Sequence, residues 1–579
     1  DLGLLKMDFL GLRTLGVLSR ACRNVKERYG IELIPEQIPT EDPKAFELMR
    51  SGNMDGLFQV EGALYVSLFG RLPPHRFSDI VASIALNRPG PLESGMVDDY
   101  IKVASGKTAV HYYDERLRPV LEETYGTMVY QEQIMQVSMV MSGFSAGKAD
   151  KLRKAMGKKK LDVMMKLKDD WCNGAVENGY SLEIANQIWS DAEKFAKYAF
   201  NKSHSAAYAI LVMRTAYLKS HYPNEYMAAV LSSYMGNADK LIKYIASCTH
   251  SGIPVLPPDV NSSNLEFTPL DEGIRFGLAG VRGVGGAVAE AIIAEREANG
   301  PFTSLHDFVN RLDTKCYNRK TLEALIKSGA FDSTGYTRKQ LMYFIEQTPL
   351  LESASKRQKD RDAGQVSMFD MFAADDDSGF AEDIPAPDGV EWDKRTLLSY
   401  EKEILKIYVS DHPLRQYEAA LRRITKFRLG DLAEHNGDIP SATFAGLITS
   451  VQVKLTKKGK KMANFVLEDT SGHCEGVCFK YDDFADALEQ DAIVKVRGKF
   501  EHSDRGDQIM AFEVERLAFD ASQMGPSQLE IRLWASEMHC VPNSCNKFCV
   551  VIRVTMRWYC SFAKQMGVNS VLSCLLRST

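Results

Sequence analysis

Three groups of residues in this 579-residue chain have the types and spacing for chemistry on phosphates. The first is Lys6-Met7-Asp8. On a strand, residues two apart project to the same face. A carboxylate placed there can hold Mg²⁺ while the ammonium neutralises a phosphate, the pairing that phosphoryl transfer needs. Spacing alone favours a plainer reading, an exposed strand-end ion pair. The second runs from Gly147 to Lys160 and carries seven cations (Lys148, Lys151, Arg153, Lys154, Lys158, Lys159, Lys160) against one anion, Asp150. If it is helical to Met156, Lys151, Lys154 and Lys158 share one flank and Leu152 and Met156 face inward. Such a helix suits a triphosphate or a nucleic-acid backbone, and equally a solvated lysine face. The third is Asn201-Lys202-Ser203-His204-Ser205, directly before an apolar helix. Ser203 or Ser205 is expected to be its N-cap, and helix N-termini attract anions. Capping accounts for the serines but not for Lys202 and His204.

Further groups suggest binding. Leu278-Ala-Gly-Val-Arg282-Gly283-Val-Gly285-Gly-Ala-Val-Ala289 has an apolar helix end, a Gly-apolar-Gly turn and a small-residue helix, the helix-hairpin-helix pattern. Its glycines permit positive φ and close approach of backbone to a phosphate, which the N–H groups of the second helix would then meet without reading a base. Arg88-Pro-Gly-Pro91 is a stiff turn presenting one arginine. Gln365-Val-Ser-Met368-Phe369 is an apolar island in an acidic stretch, suited to a partner's groove. Lys454, Lys457, Lys458, Lys460 and Lys461 surround Gly459 on an expected hairpin, where a nucleic-acid-binding OB-fold carries its loop cations. An exposed lysine hairpin that aids solubility fits as well.

The elements that must position these groups are mainly helices at first, including Tyr130–Met141 and Ser205–His221, the latter stopped before Pro223. A Pro-rich hinge, Ile253–Pro258, precedes paired helical hairpins over 275–330. Residues 352–390 are polar and acidic and read as a flexible linker. From Ala442 to Leu517, apolar and polar residues alternate between glycine turns, which predicts short strands closed into a small barrel.

The length predicts about four domains. Lys and Arg number 71 and Asp and Glu 76, a net charge of −5, so nucleic-acid binding must rest on local patches. No apolar run is long enough for a transmembrane helix, no secretory signal precedes Asp1, and the chain reads as a fragment. Six cysteines are scattered over the first 539 residues as reduced thiols, with Cys474 and Cys478 expected in a core. Five more (Cys540, Cys545, Cys549, Cys560, Cys574) crowd a tail without carboxylates after Glu537, expected to be a misread or aberrant terminus rather than a zinc module.

Taken in order, these blocks resemble the alpha subunit of bacterial DNA polymerase III, a family C polymerase. The resemblance covers about residues 1–530 and rests on Lys6–Leu15, Tyr130-Gln-Glu-Gln-Ile-Met135, Leu152–Lys160 and Phe200–Tyr208 continuing to Tyr222-Pro223. It implies a multidomain chain: the end of the palm (1–14), mainly α fingers (15–265), a helix-hairpin-helix part (266–350), a linker with a clamp-binding motif (351–440), an all-β OB-fold (441–520) and a truncated or aberrant tail (521–579). Asp8 would be the later of three metal-binding aspartates. Lys6, Arg153, Lys154, Lys158, Lys202 and His204 would bind the nucleotide; where Lys154 stands, the family often has a second arginine. Arg282, Gly283, Gly285, Lys457, Lys458 and Lys460 would meet DNA, and Gln365, Met368 and Phe369 the sliding clamp. Leu529–Leu533 resembles the first strand of a clamp-loader-binding domain. The implied reaction is template-directed DNA synthesis with two Mg²⁺ ions. Its partners would be primer–template DNA, deoxynucleoside triphosphates, clamp, clamp loader and proofreading subunits, in the cytoplasm at the nucleoid. The Asp-x-Asp pair of the family would lie upstream, so this chain alone is expected to be inactive. Its rivals are a non-catalytic DNA-binding and clamp-tethering module and an error-prone paralogue. A Lys-x-Asp could also mark a ligase adenylation site, but Phe9 stands where glycine is expected.

Overall fold

A computed structural model describes residues 11–157, 161–195, 200–362, 389–432, 435, 437–455, 459–501, 507–518, 528–534 and 549–555. The chain divides into two compact units. The first comprises residues 1–415, 428–437 and 469–473; the second comprises 416–427, 438–468 and 474–579.

The first unit is helical and has three hydrophobic cores. Helix α1 (Arg13–Tyr29) packs on α7 (Pro223–Ser233) and ends at Gly30, whose φ of 68° is the left-handed C-cap glycine provides cheaply. Helix α6 (Lys202–His221) is apolar around most of its circumference, as a helix surrounded by others must be. Its Ala209, Val212, Met213 and Ala216 belong to one core and Leu218 to another, so it ties the two together. Pro223 cannot continue α6 and instead opens α7 at its first position. The third core lies among α2 (Gln131–Ser142), α3 (Ala146–Gly157), α4 (Leu161–Glu177) and α5 (Leu182–Phe195), around the fully buried Trp171.

The helix-hairpin-helix region departs from expectation in two details. Leu278–Gly280 before the turn is a single 3-10 turn, followed by α8 (Gly286–Asn299). Gly283 has φ 93°, the positive value only glycine adopts without strain, but Gly285 is an ordinary N-cap at φ −75°. The linker also begins later than its polarity suggested. Leu350–Asp362 is helical, because Leu, Glu, Ala, Lys, Arg and Gln are good helix formers and Leu350 and Ala354 bury one edge.

The second unit holds a closed five-stranded barrel: β1 (Ile439–Leu455), β2 (Lys461–Glu468), β3 (His473–Cys478), β4 (Ile493–Glu501) and β5 (Gln508–Arg516), in spatial order β1-β2-β3-β5-β4. Parallel pairing of β3 with β5 closes it. Along β4, Val494, Val496 and Phe500 point inward with Gly498 between them, where a Cβ would stand 2.3 Å from the Met510 carbonyl oxygen. Cys474 and Cys478 are buried thiols, and like Cys22, Cys172, Cys248 and Cys316 they are unbridged. In the tail, β6 (Gln528–Trp534) pairs antiparallel with β7 (Cys549–Thr555).

Candidate functional site: a cationic turn between two helices

Three consecutive side chains at the start of α2 reach three separate places. Gln133 Oε1 accepts from the backbone N–H groups of Val129 (2.8 Å) and Tyr130 (2.9 Å), while its Nε2 donates to Thr124 Oγ1 (2.7 Å). This closes the N-terminus of its own helix in the manner of a capping box. Gln131 Oε1 accepts from Arg153 Nη1 of α3 at 3.0 Å. Glu132 reaches the start of α6, where Oε1 accepts from Asn201 Nδ2 (2.7 Å) and Oε2 from the Lys202 backbone N–H (2.9 Å). A parallel bridge between Tyr130 and Phe200 holds the two helix starts side by side. The expected nucleotide-binding residues Arg153, Lys202 and His204 are thereby gathered around one turn, although about 50 residues of sequence separate the first from the others.

Their charges are already engaged. Arg153 Nε and Nη2 donate to Asp150 Oδ1 (2.9 and 2.8 Å), and Lys154 Nζ lies 2.7 Å from Asp150 Oδ2. Hydrogen bonds from Lys154 and then Arg153 hold the Asp150 carboxyl below the usual carboxylate range. Lys202 Nζ pairs with Glu123 and stands 5.5 Å from the centroid of the Tyr130 ring. Lys148 pairs with Asp170 at 2.9 Å. Exposed pairs of this kind contribute about 1 kcal/mol or less, so a phosphate can take over these cations at little cost. Arg88, whose burial lowers its pKa, lies 4.3 Å over the Phe200 ring. Phe200, His204 and Tyr208 form a continuous row of rings, with centroids 5.4 and 4.5 Å apart.

The start of α6 corrects the sequence reading. Its N-cap is Asn201, whose Oδ1 accepts from the His204 N–H at 2.9 Å, and neither Ser203 nor Ser205. Ser203 is exposed, and the Ser205 Oγ is buried without a partner. With Glu132 on the Lys202 N–H, this helix start already carries its own carboxylate. On α3 the inward positions include Ala149, Leu152 and Ala155, and Lys151 and Lys154 are exposed.

Elsewhere in the first unit, Arg282 and Gly283 are exposed between the buried Val281 and Val284, and Gly285 and Gly286 are exposed just after them. Thr321 Oγ1 donates to the Gly283 carbonyl at 3.3 Å and pins this turn to α9 (Arg319–Lys327). In the second unit, Lys454, Lys460 and Lys461 are exposed at the β1–β2 hairpin, where Gly459 takes φ 75°. Lys6, Asp8, Lys158, Gln365, Met368, Phe369, Lys457 and Lys458 lie outside the described residues. Sequence reasoning missed Gln131, Glu132 and Glu123 as organisers. The polar Gln-Glu-Gln run at a helix start was the signal available for the first two. Among the described residues no group of three or more His, Cys, Asp or Glu could hold a metal ion. Among the same residues no helix is long and apolar enough to cross a membrane.

A gathered set of cations, a helix-hairpin-helix turn and a closed OB-type barrel in one chain define a nucleic-acid-processing protein of several modules. Comparison with known proteins narrows this class. Residues 14–179 match the bacterial DNA polymerase III alpha subunit finger domain, 252–341 a helix-hairpin-helix motif and 442–517 an OB-fold nucleic acid binding domain. The chain is similar to DNA polymerase III subunit alpha of Thermus aquaticus, 40% identical over 542 residues covering 92% of this chain and 43% of that protein. The protein of that name from Aquifex aeolicus is 43% identical over 502 residues (86% and 41%), and that of Escherichia coli K12 39% over 519 (87% and 44%). The chain belongs to the bacterial DNA polymerase III alpha subunit family and spans less than half the length of these curated relatives.

Proposed function

We propose that this chain supplies the nucleotide-gripping and DNA-holding parts of a replicative DNA polymerase, whose whole reaction adds deoxynucleotides to a primer 3′ end under template direction and releases pyrophosphate. The observation that carries this reading is the joining of Arg153 and Lys202 to one turn through Gln131 and Glu132. Phosphoryl transfer needs positioning and charge neutralisation more than covalent chemistry. In this reading Arg153, Lys154 and Lys202 leave Asp150 and Glu123 for the oxygens of the incoming triphosphate, and His204 and Lys158 assist. Lys6 acts on the same charge, and Asp8 is the metal ligand this chain contributes. Mg²⁺, when bound, supplies stabilisation of the charge that develops on the transferred group. The exposed turn at Arg282, Gly283 and Gly285 holds duplex backbone, and the lysine hairpin of the barrel meets single-stranded template. Gln365, Met368 and Phe369 dock on the sliding clamp, and the clamp loader and proofreading subunits complete the assembly at the nucleoid.

Equilibrium binding of a deoxynucleoside triphosphate and of inorganic tripolyphosphate tests the central element. Loss of charge-assisted hydrogen bonds in Arg153→Ala is expected to weaken both ligands about ten-fold or more. Unchanged affinity for both would contradict the assignment.

A further inference from the structure

Gln59 holds a backbone conformation that its type disfavours. Its φ is 64°, and the Val60 N–H donates to the Phe58 carbonyl at 2.8 Å, closing a three-residue turn around it. This is the rare, strained form of the γ-turn. The relaxed form occurs at Asn87 (φ −79°, ψ 65°), where Arg88 N–H donates to Leu86 O at 2.8 Å. Strain of this kind persists only where the surroundings over-determine it.

They do so here. The buried Lys219 Nζ donates to Asn53 O (3.1 Å), Asn53 Oδ1 (2.8 Å) and Asp55 O (2.8 Å). Tyr226 Oη donates to Gly56 O (2.6 Å), Gly56 N–H to Glu61 Oε2 (2.9 Å) and Phe58 N–H to Thr215 Oγ1 (3.2 Å). Leu57 and Val60 are buried on either side. All this anchoring leaves the Gln59 side chain itself exposed. The loop is fixed so that its one strained residue faces outward.

What it faces is a recess of about 180 Å³ walled by Arg13, Glu61, Tyr234 and Tyr244, with the Arg13 guanidinium 4.6 Å over the Tyr234 ring. A cavity of about 150 Å³ accepts a six-membered ring. On its other side Gln59 stands beside the Tyr65 phenol, on which Arg88 also acts, and Arg88 covers Phe200 at the cationic turn. Gln59 therefore joins the recess to the Arg88–Phe200 stack beside the cationic turn.

We propose that Gln59 is a positioning residue whose carboxamide hydrogen-bonds the nucleoside part of the nucleotide while the cationic turn holds its phosphates. The proposal rests on the triphosphate reading given above. Its test is equilibrium binding by the 579-residue chain, with Mg²⁺, of a deoxynucleoside triphosphate and of inorganic tripolyphosphate. Gln59→Gly removes the carboxamide, while glycine accepts the positive φ, so the loop survives. The expected result is a roughly five-fold loss of affinity for the nucleotide, with tripolyphosphate affinity unchanged and the unfolding midpoint equal or higher. Gln59→Asn, which keeps a carboxamide and tolerates this φ, is expected to fall between. Wild-type affinity of Gln59→Gly for the nucleotide would overturn the proposal and leave the triphosphate reading standing. If neither ligand binds the unaltered chain, the triphosphate reading fails and the proposal fails with it.

Discussion

Glu132 shows how one carboxylate can organise a site without touching a substrate. Both its oxygens accept from the start of α6, one from Asn201 Nδ2 and one from the Lys202 N–H. Glu132→Ala should destabilise the first unit by about 1–3 kcal/mol, read from urea unfolding, because one exposed and one part-buried donor lose a charged acceptor. Lys219 gives a pH prediction of known sign. Burial pushes it down to about 8 from 10.5. Between those values the unfolded chain binds a proton that the folded chain does not, so stability rises with pH. Measured against Lys219→Met, the wild type should gain stability as pH rises from about 8 towards 10.5, and the difference should be flat below 8. Cationic positions such as Arg153 and Lys202 were legible in the sequence because charge density is visible there. Their partners Gln131 and Glu123 were not, since those contacts span 22 and 79 residues and depend on packing.

At the scale of elements, helices and strands were legible from period and punctuation, and starts and stops were less so. The α6 helix was expected to be capped by a serine, yet Asn201 does it, because Glu132 fixes the asparagine amide from outside the helix. Asn201→Ala should therefore cost about 1 kcal/mol, while Ser203→Ala should stay within about 0.5 kcal/mol, both measured by thermal unfolding. The polar Leu350–Asp362 segment read as linker because it buries only one edge, although its helix-forming residues were visible throughout. At the helix-hairpin-helix turn, Arg282 is exposed beside backbone fixed by Gly283. Arg282→Ala should lower the magnitude of the log–log salt slope for duplex binding by about 0.9, the loss of one phosphate contact.

Over the whole molecule, the change from helical to alternating apolar pattern marked the barrel, whose five strands close in the order β1-β2-β3-β5-β4. The hub on the Val129–Gln133 turn was not legible, because it exists only once α2, α3 and α6 are packed. The central claim is that these modules serve nucleotide addition and do not merely tether the chain to DNA. Primer extension by the full-length protein carrying Arg153→Ala or Asp8→Ala, with DNA affinity recorded in the same tubes, tests it most directly. The account predicts extension reduced at least a hundred-fold, in keeping with the loss of an electrostatic contact to the reacting group, with DNA affinity largely retained. Undiminished extension by both variants would contradict it and leave a non-catalytic DNA-binding module.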